Sequence, residues 1–185
     1  MSANKKIMSP AGGLGHKHAG SASQFSLRVC APYLGVRCHE EVLAFMIQTL
    51  EIELLEGIYF DQPWSCTLEI PVDHSLEELH LAIQNAVDFE NDHLYEFIVG
   101  NSARSRSSIN FDCQSDEIYE TSVEKLLEGS KGKKVFYYFD FGDSWLFQIK
   151  KSRKKPVEEN PDTFYPKVVS ENGKKPIQYP DWDEM

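Results

Sequence analysis

The stretch VFYYFDFGDSWLFQI, from Val135 to Ile149, decides the fold of this 185-residue chain because it contains two aromatic-rich strands joined by a short turn. Rings lie at successive positions of the first strand, which is typical of a strand that is buried on both faces. We expect Gly142 to supply the positive φ angle of a tight turn, and apolar residues then recur at every second position from Trp145 onward. The stretch therefore predicts a β-hairpin inside a sheet.

Periodic patterns upstream of the hairpin predict alternating strands and helices. Strands are expected where apolar residues alternate, at 25–29, 64–72 and 93–99. Apolar residues at helical spacing from Val42 to Leu54 predict a helix, although the alternation of Leu50, Ile52 and Leu54 leaves its last turn open. A second helix is expected after Ser75, because Ser75 and Glu78 have the spacing of a capping box. A short third helix is expected at 121–127, and the polar segment 100–115 reads as an exposed loop.

These elements predict one α+β domain over residues 25–185. We expect a mixed, mostly antiparallel sheet of about five strands, with the two longer helices packed against one face. Residues 1–24 contain no acidic residue and no apolar periodicity, which predicts a disordered leader. The tail from Pro156 holds five of the nine prolines together with several apolar residues. It is therefore expected to wrap over the domain surface in an extended form.

Composition predicts a globular protein of the cytoplasm. No apolar run approaches the roughly 20 residues that a membrane-spanning helix needs, so we expect no membrane partner. The four cysteines show no metal-ligand spacing and are expected to stay reduced.

Charge is distributed unevenly along the chain. The net charge is −10, and the segment from His39 to Ala103 has 14 acidic residues and no Lys or Arg. Such a body repels phosphates, so any contact with nucleic acid is expected to be weak. It would be confined to one basic run, formed by Lys150, Lys151, Arg153, Lys154 and Lys155. The same run leaves a nuclear location open as the alternative to a cytoplasmic one.

Six polar or aromatic side chains form the candidate site that the sequence offers: Trp64, His80, His93, Asp140, Asp143 and Trp145. The histidines and aspartates are groups that can hold a cation and activate water, which is the chemistry of a metal-dependent hydrolase. They contain no HExxH or comparable local pair, so they would have to converge through tertiary structure. The alternative is structural, because Asp140 can hold the amides of the hairpin turn and Asp143 favours a turn.

Three motifs carry a resemblance to a known family: IPVDHSLEELHLAIQNAVDFENDHLYEF, SVEKLLEGSKGKKVFYYFDFGDSW and YPKVVSENGKKPIQYP. In this order they resemble the plasmid pRi ORF-three-like family, also called the insertion-element passenger TnpR family, over about residues 64–180. The resemblance implies a compact α+β domain and a history on mobile elements. The family's paired arginines before the second strand are replaced by Ser65 and Cys66. Its tail cysteines are replaced by the segment 175–180, so no cysteine-based metal site is expected there.

The sequence favours a non-catalytic binding or adaptor module with a protein partner. The candidate surface lies around Trp64, His93 and the turn from Asp140 to Trp145, and no cofactor or metal is predicted. The alternative is a metal-dependent hydrolase that uses His80, His93, Asp140 and Asp143.

Overall fold

A computed structural model describes residues 45–180 of the chain. These residues form eight strands and three helices. The strands are β1 (Met46–Glu56), β2 (Trp64–Pro71), β3 (Tyr95–Gly100), β4 (Ile109–Asp112), β5 (Lys134–Phe139), β6 (Trp145–Lys151), β7 (Val157–Glu158) and β8 (Lys167–Gly173). The helices are α1 (Leu76–Val87), α2 (Glu117–Glu120) and α3 (Val123–Gly129).

The strands form one antiparallel sheet in the order β4-β3-β5-β6-β1-β2-β8, with β7 paired to one end of β1. The predicted hairpin is confirmed as β5 and β6, in which Phe139 pairs with Trp145. It occupies the middle of the sheet, between β3 and β1. This central position explains why the hairpin carries rings on both faces.

Two apolar clusters lie on opposite faces of the sheet, and alternate residues of the central strands contribute to each. The main cluster includes Tyr137, Phe139 and Phe147, together with the buried stripe of α1. The intervening residues Phe136 and Leu146 join Ile98 in a smaller cluster. Both faces of the sheet therefore bury apolar area in this region.

The expectation of about five strands with helices packed on one face is wrong, since the sheet has eight strands and every pairing among them is antiparallel. The largest error concerns the helix expected from Val42 to Leu54, because its described part is the 11-residue strand β1. Leu50, Ile52 and Leu54 point into the main cluster as a strand requires. Pairing with β2 on one side and β6 on the other overrides the helical propensity of its Leu and Glu residues.

The remaining strands lie in segments that the sequence presents as polar. The expected loop 100–115 contains β4, and the tail contains β7 and β8. All residues of β8 are exposed, so its sequence lacks the alternation that reveals a half-buried strand. The turn of the hairpin also differs, because Asp140 and Ser144 have positive φ angles and Gly142 does not.

The helix after Ser75 is confirmed together with its capping box. The Ser75 hydroxyl accepts a hydrogen bond from the Glu78 amide, and the Glu78 carboxylate accepts one from the Ser75 amide. The leader at 1–24 and the strand expected at 25–29 lie outside the described residues. Within residues 45–180, no helix has the length and apolar character needed to cross a membrane.

Candidate functional site

The turn between β5 and β6 is organised by the Asp140 carboxylate. Its Oδ1 atom accepts hydrogen bonds from the amides of Gly142, at 2.9 Å, and Asp143, at 3.3 Å. These bonds replace the backbone partners that the amides lack in the turn, which explains why an aspartate is suited to this position. The Asp140 side chain is almost fully buried. Its second oxygen is left to face the loop that precedes β3.

His93, in that loop, lies beside Asp140. The His93 Nε2 atom is 3.5 Å from Asp140 Oδ2 and 2.9 Å from the hydroxyl of Tyr179. Because Tyr179 donates its own proton to Asp92 Oδ2, at 2.8 Å, its oxygen accepts from His93. The Tyr179 ring therefore joins the His93 loop to the tail of the chain.

Gln178 fixes the tail beside this site and is itself buried. Its Oε1 atom accepts a hydrogen bond from the Glu90 amide at 2.6 Å. Its Nε2 group donates to Asp92 Oδ1, at 3.2 Å, and to the Tyr179 oxygen, at 3.0 Å. Hydrogen bonds of the Gln178 and Tyr179 side chains therefore hold the tail against the loop 88–93.

The site has a negative electrostatic character. Partial burial and then the charge of Asp140 raise the pKa of Asp143, while His93 acts in the opposite direction. Burial and the hydrogen bond to Asp92 raise the pKa of Tyr179 to about 12, so Tyr179 remains a neutral donor. Within residues 45–180, none of Asp92, Asp140 and Asp143 forms an ion pair with Lys or Arg.

His80 lies away from these carboxylates, in the buried core. Its Nε2–H donates to Asn91 Oδ1 at 2.7 Å, and its Nδ1 accepts from the Tyr137 hydroxyl at 2.6 Å. The ring stacks on Tyr95 with centroids 3.7 Å apart. Burial lowers the pKa of His80, which keeps the ring neutral. Both ring nitrogens are therefore already used inside the fold.

The four residues of the hydrolase hypothesis are consequently not brought together. His93 lies 3.5 Å from Asp140 and within electrostatic range of Asp143, whereas His80 is bonded to Tyr137 and Asn91. In the part of the chain that the structure describes, no group of three or more His, Cys, Asp or Glu side chains is arranged to hold a metal ion. The residues present do not fit the ligand set that this hypothesis requires.

The two candidate tryptophans are core residues. The Trp64 indole donates to Glu171 Oε1, at 2.8 Å, across the pairing of β2 with β8. Trp145 is fully buried and packs edge-on against Phe89, with centroids 4.8 Å apart. Neither ring is available at the surface, so neither can form part of the binding surface that the sequence predicted around them.

Apolar side chains beside the hydrogen-bonded site are exposed instead. Leu94, Phe141, Ile177 and Tyr179 are between 46% and 54% exposed. Leu94 lies next to Asp140, whose amide donates to the Leu94 carbonyl at 3.0 Å. Phe141 follows Asp140 in the chain, and Ile177 precedes Tyr179, which is bonded to Asp92, by two residues. We call this set the acidic–aromatic surface; its members are Asp92, His93, Leu94, Asp140, Phe141, Asp143, Ile177 and Tyr179.

The basic run lies at the end of β6 and in the exposed segment that follows. Lys150 pairs with Glu53 on the neighbouring strand β1, which neutralises one of its five charges. Lys151 ends the strand, and Arg153, Lys154 and Lys155 are exposed. The run is therefore accessible, but its charge is partly compensated.

Sequence reasoning missed Asp92, Gln178 and Tyr179, which complete the site. The two tail residues lie more than 80 positions from Asp92 along the chain, so no local spacing connects them. The sequence did offer one indication that the tail takes part in a site, namely the aromatic and amide side chains between Pro176 and Pro180. An ordered tail needs partners for such groups when they approach the body of the protein.

Comparison with known proteins identifies the family of this chain and a solved structure with a similar fold. Residues 48–178 match the family model of plasmid pRiA4b ORF-3-like proteins. A crystal structure of a protein of unknown function, MM3350 from Methanosarcina mazei Go1, is similar with a TM-score of 0.54 and 22% sequence identity. The match covers 69% of this chain and 70% of that chain, and at this identity it shows a shared fold. No curated protein matches the chain.

Proposed function

This chain belongs to the family of plasmid pRiA4b ORF-3-like proteins, and we propose that it is a non-catalytic binding module for a basic segment of a partner protein. The family expected from the sequence motifs is thereby confirmed. The proposed contact region is the acidic–aromatic surface.

The observation that carries the proposal is the convergence of Asp92, Asp140 and Asp143 without a Lys or Arg partner among residues 45–180. The raised pKa of Asp143 reflects in part the repulsion between neighbouring carboxylates. A cationic side chain of a partner would relieve that repulsion. The net charge of −10 adds a longer-range attraction for basic partners.

The apolar members of the surface favour a protein partner over a free cation. Phe141 stacks on Tyr138, with centroids 5.2 Å apart, and still leaves about half of its area exposed. Exposed aromatic and aliphatic groups beside charged ones are typical of protein-binding surfaces. A partner segment that alternates basic and apolar residues would use both kinds of group.

The rigidity of the surface also supports a binding role. Asp140 is held by two backbone amides, and Tyr179 is held by Asp92, Gln178 and His93. Side chains that are already fixed lose little conformational entropy when a partner binds.

The experiment is a fluorescence-anisotropy titration with a labelled nine-residue peptide of alternating Arg and Leu. The test variant is Asp143→Asn/Phe141→Ala, which removes one charge and one exposed ring. Each exposed ion pair contributes about 0.2–1 kcal/mol, and the ring adds to this, so we expect at least about fivefold weaker binding. The same peptide with Glu in place of Arg is expected not to bind.

The matched control is Glu128→Gln/Tyr119→Ala, which removes an exposed carboxylate and an exposed ring from α3 and α2. Its affinity should equal that of the unmodified protein. Equal weakening by both double variants would contradict the proposal, because attraction by overall charge would then account for the binding.

A further inference from the structure

A second candidate site lies on the sheet face opposite the main cluster. Two adjoining clefts, of about 310 Å³ and 260 Å³, flank Ala103 and Arg104 there. The floor of the larger cleft includes Phe136 and Leu146, and Ile98 lies in the floor of the smaller one. All three residues are buried and belong to the smaller apolar cluster.

The sequence builds this floor by strand alternation and one irregularity. Ile98 pairs with Phe136 across β3 and β5, which places both side chains on the same face. The pairing of β1 with β6 shifts between Leu54 and Glu56, so Leu55 is an extra residue in β1. Leu55 follows Leu54, so ordinary alternation places it on the opposite face, where it joins the smaller cluster and lines the larger cleft while Leu54 remains in the main one. The β-bulge leaves Leu55 without a paired residue on β6.

The wall of the clefts comes from the segment that follows β3. A Cβ atom at Gly100 would approach the Ser102 carbonyl oxygen to 3.0 Å, so glycine permits the sharp change of direction. The Ser105 amide donates to the Ser102 carbonyl at 3.2 Å and closes the next turn. Ala103 is thereby packed against the smaller cluster.

The larger cleft has a net positive charge although the chain as a whole is acidic. Arg104 and Lys134 line it together with one carboxylate, Glu56. Arg104 Nη2 lies 2.7 Å from Glu56 Oε2, so these two charges compensate each other. Lys134 makes no hydrogen bond or ion pair with any side chain of residues 45–180. The cleft therefore carries one uncompensated positive charge above an apolar floor.

We infer that the larger cleft binds an aliphatic monocarboxylate, with the carboxylate at Lys134 and the chain over Phe136, Leu146 and Leu55. One negative charge matches the single uncompensated cation. A doubly charged phosphate would place its second charge near Glu56 with no cation to balance it. A cavity of about 150 Å³ holds benzene, so a cleft of this size suits a ligand of about a dozen non-hydrogen atoms. Decanoate has this size and charge.

The test is a titration of ¹⁵N-labelled protein with sodium decanoate at pH 8, below micelle-forming concentrations, followed by amide chemical shifts. Amides of residues 101–104 and 134–136 are expected to shift together with one dissociation constant. Lys134→Glu should weaken binding about fivefold or more, because it replaces an attractive charge by a repulsive one. The matched control, Lys131→Glu, changes an exposed lysine that does not line the cleft and should leave the affinity within about twofold.

Two further ligands separate charge from apolar contact. Decylammonium should not shift these amides, and decyl phosphate, which is doubly charged at pH 8, should bind more weakly than decanoate. Equal affinities of the two lysine variants would overturn the inference. It would also be overturned by equal binding of decylammonium, tighter binding of decyl phosphate, or shifts that map to another part of the protein.

Discussion

Removal of one buried hydroxyl group, in Tyr137→Phe, is expected to destabilise the protein by about 2–3 kcal/mol. The hydroxyl lies 2.6 Å from His80 Nδ1 and 2.8 Å from Gln84 Nε2, and all three side chains are buried. Each buried group left without a partner costs about 1–3 kcal/mol. The expected loss lies at the lower end of the summed range of about 2–6 kcal/mol, because the phenol oxygen itself no longer has to be desolvated.

Urea unfolding followed by circular dichroism measures this free energy, provided that the slope against urea is unchanged. Tyr119→Phe is the control, since Tyr119 is exposed and its variant should lie within about 0.5 kcal/mol of the unmodified protein. Gln84→Leu should cost less in the Tyr137→Phe background than alone, because the two groups share one hydrogen bond. A stability loss for Tyr137→Phe no greater than that of the control would refute this account of the core.

Three further predictions follow from buried groups. Because burial lowers the native pKa of His80, the unfolded state gains a proton at a higher pH than the folded state does as the pH falls. Unfolding free energy should then decrease by up to about 1.4 kcal/mol per pH unit, and His80→Gln should flatten this dependence in urea titrations between pH 7.5 and 5. Gly57→Ala would place a Cβ atom 2.3 Å from the buried Trp145 ring and should cost about 1–3 kcal/mol, measured by the same unfolding assay. Burial raises the pKa of Cys66 to about 12, so iodoacetamide at pH 8 should modify it only after denaturation, as peptide mass spectrometry would show.

The elements with strong local signals could be predicted from the sequence. The hairpin carries rings at successive positions of β5 and apolar residues at every second position of β6, and α1 begins with a capping box. In contrast, β1 reads as a helix because its strand state depends on neighbours that lie far away in the sequence. Strand β8 reads as a loop because an exposed edge strand has no need of apolar alternation.

The candidate site was predictable only in part, for a similar reason. His93 lies beside Asp140, since β3 and β5 are neighbouring strands of the sheet, and the Asp143 amide donates to the Asp140 carboxylate. His80 occupies a buried face of α1 and is held by Tyr137, which no spacing between the two could reveal. Tyr179 reaches Asp92 and His93 only because the tail packs beside the loop that precedes β3. Tertiary contacts, and not the local sequence, determine this position of the tail.

The sheet order constrains how the protein emerges from the ribosome. Strand β1 lies in the interior of the sheet, yet Ile52 pairs with Ile149, which is synthesised about a hundred residues later. Because translation adds about 5–20 residues per second, the edge of β1 that pairs with β6 stays unpaired for roughly 5–20 s. During this interval the nascent chain exposes an apolar strand with unpaired backbone groups, which is the kind of segment that chaperones protect from aggregation.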